Sequence, residues 1–172
     1  MDYYQSVVTE YLRADRALFV NPECVIQVGP RNTPGKGMYS ICDAVVADFR
    51  SKTIFVCEIS YSFKLPALIN RLRLWGEKWT EVAFALERDS CLPNDWLSRL
   101  RPWLFVPQQS LDVLLAGLSK MGSASPVSTP RITTLEMAQP WNYCESHRKG
   151  EIDCCERHRK NKDPKIPPAM AI

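Results

Sequence analysis

The chain has 172 residues, 45% hydrophobic and 24% charged, with a formal net charge of +3. That composition is globular, and no run reaches the ~18 continuous apolar residues of a membrane helix, so no membrane partner is expected. The opening MDYYQSVVTEYL has neither a basic start nor an apolar core, which argues against a secretory signal and for a cytoplasmic protein.

In chain order, Val7, Val8, Tyr11, Leu12 and Leu18 recur near a 3.6-residue period, which predicts a helix over 3–17 that stops before Asn21-Pro22. Cys24–Val28 reads as a short strand, and the Gly/Pro-rich 29–37 as a loop. Two strands follow, over 39–49 and 53–61, apolar at nearly every position as in strands covered on both faces. Arg50-Ser51-Lys52 leaves room only for a hairpin connection. Leu68, Leu72, Trp75 and Trp79 predict a helix over 65–79. A strand over 81–86, a short helix over 93–100, a strand over 103–106 and a closing helix over 111–118 complete the order. A hairpin followed by a helical crossover gives an α/β fold, a mixed central sheet with helices on both faces.

The composition changes after residue 118. Residues 1–118 read as the domain, 119–140 as a linker rich in Ser, Thr and Pro, and 141–172 as a basic tail, partly disordered. The first 119 residues balance 13 basic against 13 acidic side chains, whereas the rest carries 9 against 6, so the net charge lies in the tail. Seven cysteines, an odd number, argue against a disulfide framework, and Cys24, Cys42 and Cys57 sit in apolar runs as small buried hydrophobes.

The most informative residues are Asp43 and Glu58. With an even-numbered hairpin loop, Phe49 lies opposite Lys52, and counting inward places Asp43 opposite Glu58, side-chain origins ~5 Å apart on one face. A slip of one residue would send them to opposite faces. Two carboxylates amid Ile, Val, Ala and Cys raise one another's pKa and need a counter-charge, which Mg²⁺ or Mn²⁺ would supply with oxygen ligands. Such an ion suits metal-assisted phosphodiester hydrolysis. The bland reading has both acids at strand ends, solvated or paired with Arg71 or Arg73.

Cys42-Asp43 on one strand and Glu58-Ile59-Ser60 on the next, before a helical crossover, resemble the PD-(D/E)xK nuclease superfamily, over residues 1 to about 110. The resemblance implies an αβββαβ core and a nuclease acting on DNA or RNA with Mg²⁺ or Mn²⁺ at Asp43 and Glu58. It also implies an accessory acid on the first helix, here Glu10. Two positions depart from the pattern: Cys42 replaces the proline, and Ser60 stands where the lysine that serves the attacking water belongs. Some members relocate that lysine, and Lys64 is the substitute this sequence offers. If it is lost, the fold survives as a non-catalytic module for nucleic acid or a protein partner. Arg71, Arg73 and Lys78 on the crossover helix are candidate phosphate contacts, or a solvated face.

Finally, Cys144, His147, Cys155 and His158 form two Cys-x₂-His pairs, soft ligands suited to tetrahedral Zn²⁺. The alternative is a basic tail with incidental thiols. A small interaction protein working through that tail is the remaining functional reading.

Overall fold

A computed structural model describes residues 2–28, 38–90, 94–122, 127 and 129–142. The fold is α/β around a five-stranded mixed sheet in the order β1-β2-β3-β4-β5. Helix α1 (Tyr3–Ala14) leads into β1 (Leu18–Val28), β2 (Met38–Asp48) and β3 (Thr53–Ile59). Helix α2 (Pro66–Ser90) and the single turn α3 (Asn94–Leu97) cross over to β4 (Arg101–Val106), and α4 (Leu111–Ser119) to β5 (Arg131–Thr134). The first three strands are antiparallel, whereas β4 and β5 join in parallel, each after a helical crossover.

Two apolar layers sandwich the sheet. On one face Val8, Tyr11 and Leu12 of α1 pack against Ala44, Val46, Phe55, Cys57, Trp103 and Phe105. On the other, Leu68, Leu72, Trp75 and Val82 of α2 cover Val45, Ala47, Ile54 and Val56. Strand β3 is therefore buried on both faces, which explains its near-continuous apolar sequence. Cys24, Cys42 and Cys57 are free thiols, the latter two fully buried.

Two segments differ from the sequence expectation. Glu81–Leu86 is helix, the second half of α2, joined to the first across a kink at Lys78 (φ −124°, ψ 20°). Its buried residues Val82, Ala85 and Leu86 have i, i+3, i+4 spacing, while Phe84 faces outward. The segment read as a linker, 119–140, carries β5, and Leu135 and Ala138 beyond it are buried against Trp103 and Phe105. Arg131 places its guanidinium 3.8 Å from the Trp103 ring, and Thr133 accepts the Trp103 indole N–H at 3.0 Å. Four strand residues in a Ser/Pro-rich stretch carry too little pattern to announce this. Among the described residues no helix is long and apolar enough to cross a membrane.

Candidate active site

The β2–β3 register is the one the hairpin count expects, running from Asp48 opposite Thr53 to Ala44 opposite Cys57. The next step outward brings Asp43 and Glu58 level, and there the strands part. The cause lies in β1 and β2 together. Leu18 and Val20 of β1 pack on the α1 face, yet Cys24 and Ile26 pack on the α2 face. In β2, Ala44 and Val46 face α1, but Cys42, two residues before Ala44, faces α2. Inward alternation thus changes phase at Glu23 and Asp43, which lie between the pairs Pro22–Ala44 and Cys24–Cys42. Glu23 adopts φ +53°, a left-handed conformation costly outside glycine and a local mark of that change.

This break lets the Asp43 carboxylate reach sideways. Its Oδ2 accepts the backbone N–H of Ile59 at 2.7 Å, satisfying a donor of β3 beyond the last paired residues. Its Oδ1 accepts from Nε2 of Gln5 at 2.9 Å. Gln5 is already fixed, because its Oε1 takes the N–H of Asp2 in a reciprocal capping box at the start of α1. One amide side chain therefore caps the helix and holds Asp43.

Glu58 follows Ile54 and Val56 onto the α2 face, is only 3% exposed, and stays near enough to Asp43 for the two carboxylates to repel. Nη1 of Arg71 on α2 donates to its Oε2 at 2.5 Å and also to the carbonyl of Ile41 at 3.2 Å. Oε1 is buried and has no hydrogen-bond partner among the described residues. Burial pushes the Glu58 carboxyl up to about 8; Arg71 pulls it down by less, and the neighbouring Asp43 pushes it further up. The same contact holds Arg71 more firmly protonated. The pair attracts, but removing the carboxylate from water is the larger effect.

Not every residue singled out from sequence joins this cluster. Glu10 is exposed and pairs with Arg13 at 3.3 Å, so the α1 residue at the site is Gln5. Lys64 is exposed in the connection between β3 and α2, and Ser60 is half-buried with its backbone N–H on the Phe105 carbonyl. Arg71 is at the site, and Lys78 lines with it a groove between β2 and α2. Arg73 instead bonds Asn70 and lines a depression of about 790 Å³ between α2 and α4, whose walls include neither carboxylate. Cys144, His147, Cys155 and His158, with the zinc reading they carry, lie outside the described residues, as does the 29–37 loop. Gln5 carries no sequence signal beyond its place in the capping box.

The residues that could hold a hard divalent ion are Asp43 and Glu58. Glu58 Oε1 is an orphaned buried acceptor beside a second carboxylate, and each Asp43 oxygen keeps a lone pair beyond its single hydrogen bond. Among the described residues no three His, Cys, Asp or Glu side chains gather as a ligand set. Two carboxylates are nonetheless what Mg²⁺ commonly takes from a protein, with water and substrate phosphate completing its shell. Comparisons with protein-family models, curated proteins and solved structures find no significant match to this chain.

Proposed function

We propose that this chain is a divalent-metal-dependent nuclease, hydrolysing phosphodiester bonds of DNA or RNA at Asp43 and Glu58. The observation that carries the reading is Glu58: a carboxylate buried where β2 and β3 part, one oxygen on Arg71, the other without a donor among the described residues, and close enough to Asp43 for the two charges to repel. Nothing in packing a sheet calls for that arrangement, because an unpaired buried carboxylate oxygen costs stability.

Asp43 and Glu58 are the residues that would hold Mg²⁺ or Mn²⁺, which when bound lowers the pKa of a water and stabilises charge on a phosphate. Gln5 orients Asp43, and through the helix cap it ties that orientation to the fold of α1. Arg71 uses Nη1 on Glu58 and keeps other N–H donors for a phosphate oxygen. We assign Arg71 the role of the cation that the motif lacks at Ser60, since it is the basic side chain in contact with Glu58.

The test is cleavage by the full chain of single- and double-stranded DNA and RNA, with Mg²⁺ or Mn²⁺. At least one substrate should be cut, and Asp43→Asn and Glu58→Gln should abolish cutting. Failure on all substrates with both ions overturns the hydrolytic reading. One observation favours a second reading, a binding module without turnover: Arg71 already supplies Glu58 with a counter-charge. That reading predicts nucleic-acid or protein binding insensitive to EDTA.

A further inference from the structure

Two surface features flank the carboxylates. On the α1 side, Tyr4 stacks on Tyr61 with ring centroids 5.2 Å apart and planes 20° apart, and Tyr3 meets Tyr4 edge-on at 5.3 Å. Tyr3, Tyr61 and Trp141 are 62%, 60% and 76% exposed, and with Tyr4 they line one cleft of about 440 Å³. Along the chain, the cleft adjoins the site. Tyr4 precedes Gln5, which holds Asp43, and Tyr61 follows Glu58 by three residues. On the α2 side, a groove of about 450 Å³ runs between β2 and α2, lined by Tyr39, Ile41, Arg71, Leu74 and Lys78 among others. Among the described residues that line it, Arg71 and Lys78 carry the charge, and none is Asp or Glu. Positions 71, 74, 75 and 78 form one stripe along α2, so the groove leads away from Glu58 with cations at both ends of that stripe.

Single exposed aromatic side chains are ordinary, but three around one cleft, one of them stacked on a fourth ring, are a patch that calls for a partner. Flat π faces suit a nucleobase, and only an unstacked base can present its face; duplex bases keep theirs inside. Duplex binding instead draws on a broad basic footprint, and here the first 119 residues carry no net charge. Two cations in a groove without carboxylates complement one phosphate backbone. We propose that the chain binds single-stranded nucleic acid, a base stacked on Tyr61 in the aromatic cleft and the phosphates following Arg71 and Lys78. The strand's backbone then crosses Asp43 and Glu58. The path over the carboxylates rests on the hydrolytic reading, whereas the binding does not.

The experiment is fluorescence anisotropy of labelled oligo-dT and oligo-rU strands and mixed-sequence duplexes of equal length, with the full chain in EDTA so that nothing is cut. Single strands, of DNA, RNA or both, should bind at least about tenfold more tightly than duplexes. Tyr61→Ala should weaken that binding about 5- to 100-fold, the value of losing one stacked base, and Tyr61→Phe should retain it. Lys78→Gln should weaken it and lower the slope of log affinity against log salt by about one. Duplex bound as tightly as single strand overturns the proposal. So does a folded Tyr61→Ala with parental affinity, or no single-strand binding, which would leave the cleft to a protein segment. Binding without cleavage under Mg²⁺ or Mn²⁺ sinks the hydrolytic reading and leaves this one standing. Cleavage of duplex with Tyr61→Ala unaffected does the reverse.

Discussion

Arg71 and Glu58 form a one-sided ion pair, the carboxylate buried and the guanidinium side chain 42% exposed. The contact joins the crossover helix to the strand that ends at the candidate site, and its two halves answer differently to substitution. Removing the arginine strands a buried charge; removing the carboxylate releases a partly solvated cation.

From that asymmetry, Arg71→Met should cost about 1–3 kcal/mol at pH 9, where the parent's Glu58 is ionised and paired and the variant's must either lose its donor or take up a proton. Arg71's exposure holds the loss to this range. At pH 5.5 the cost should shrink, because Glu58 is already protonated in parent and variant alike. Denaturant melts at the two pH values check this; equal losses would show that Arg71 acts through packing alone.

The pH profile of the parent follows from Glu58. Its carboxyl rises from an ordinary 4.5 to about 8 on folding, so between those values the folded state holds a proton that the unfolded chain has released. Its contribution to stability is complete below about pH 4.5 and is lost as pH rises through 8. Metal-free protein should therefore lose thermal stability across that window, and Glu58→Gln, neutral throughout, should flatten the profile. An unchanged slope in Glu58→Gln would place the dependence elsewhere.

How far the site could be read from sequence depended on whether its parts were local. The register that brings Asp43 level with Glu58 was legible because a tight hairpin between two apolar strands admits only one useful pairing. Gln5 was not, since its contact arises from where the start of α1 lands beside the parting strands, 38 residues away. Arg71 was legible as one of two arginines, with Arg73, able to pair with the acids, and as one of three cations on the helix; the Arg71–Glu58 pair is the one formed. Which of the three meets Glu58 is decided by how α2 packs, after a left-handed Leu65 (φ +51°) redirects the chain. In the fold, the second half of α2 was hidden by a six-residue apolar run that suits either period, and β5 by its brevity.

Gln5 offers a test of the link between helix cap and carboxylate. Gln5→Glu preserves the capping acceptor but replaces the amide that holds Asp43 with a charge of the same sign. The metal-free variant should lose about 1–2 kcal/mol at pH 7, and millimolar Mn²⁺ should restore more stability to it than to the parent. A variant as stable as the parent, with no extra response to Mn²⁺, would mean that Gln5 does not constrain Asp43.

The fifth strand makes a prediction about the domain boundary. A chain ending at Asn142 should keep its thermal midpoint, whereas one ending at Ser119 loses the buried Leu135 and the Arg131–Trp103 contact. The shorter chain should lose at least about 3 kcal/mol, a fall of about 10 °C. Equal midpoints would return residues 119–140 to the role of a linker.

If Arg71 stands in for the missing lysine, Arg71→Ala should slow cleavage by about 10²–10³ while metal affinity persists, and Arg71→Lys should recover part of the rate. Lys64→Ala should cost less than Arg71→Ala, because Lys64 is exposed in the loop before α2. The opposite order in single-turnover rates would reassign the cation to Lys64.

The most direct test of the central claim needs no substrate: calorimetric titration of Mn²⁺ into the EDTA-treated, dialysed full chain. Mn²⁺ prefers oxygen ligands, so the thiols and imidazoles of the tail compete poorly. One binding site in the parent, lost in Asp43→Asn and in Glu58→Gln while both variants remain folded by circular dichroism, is the predicted result. No heat of binding in the parent, or a site that survives both substitutions, would contradict a metal centre between Asp43 and Glu58.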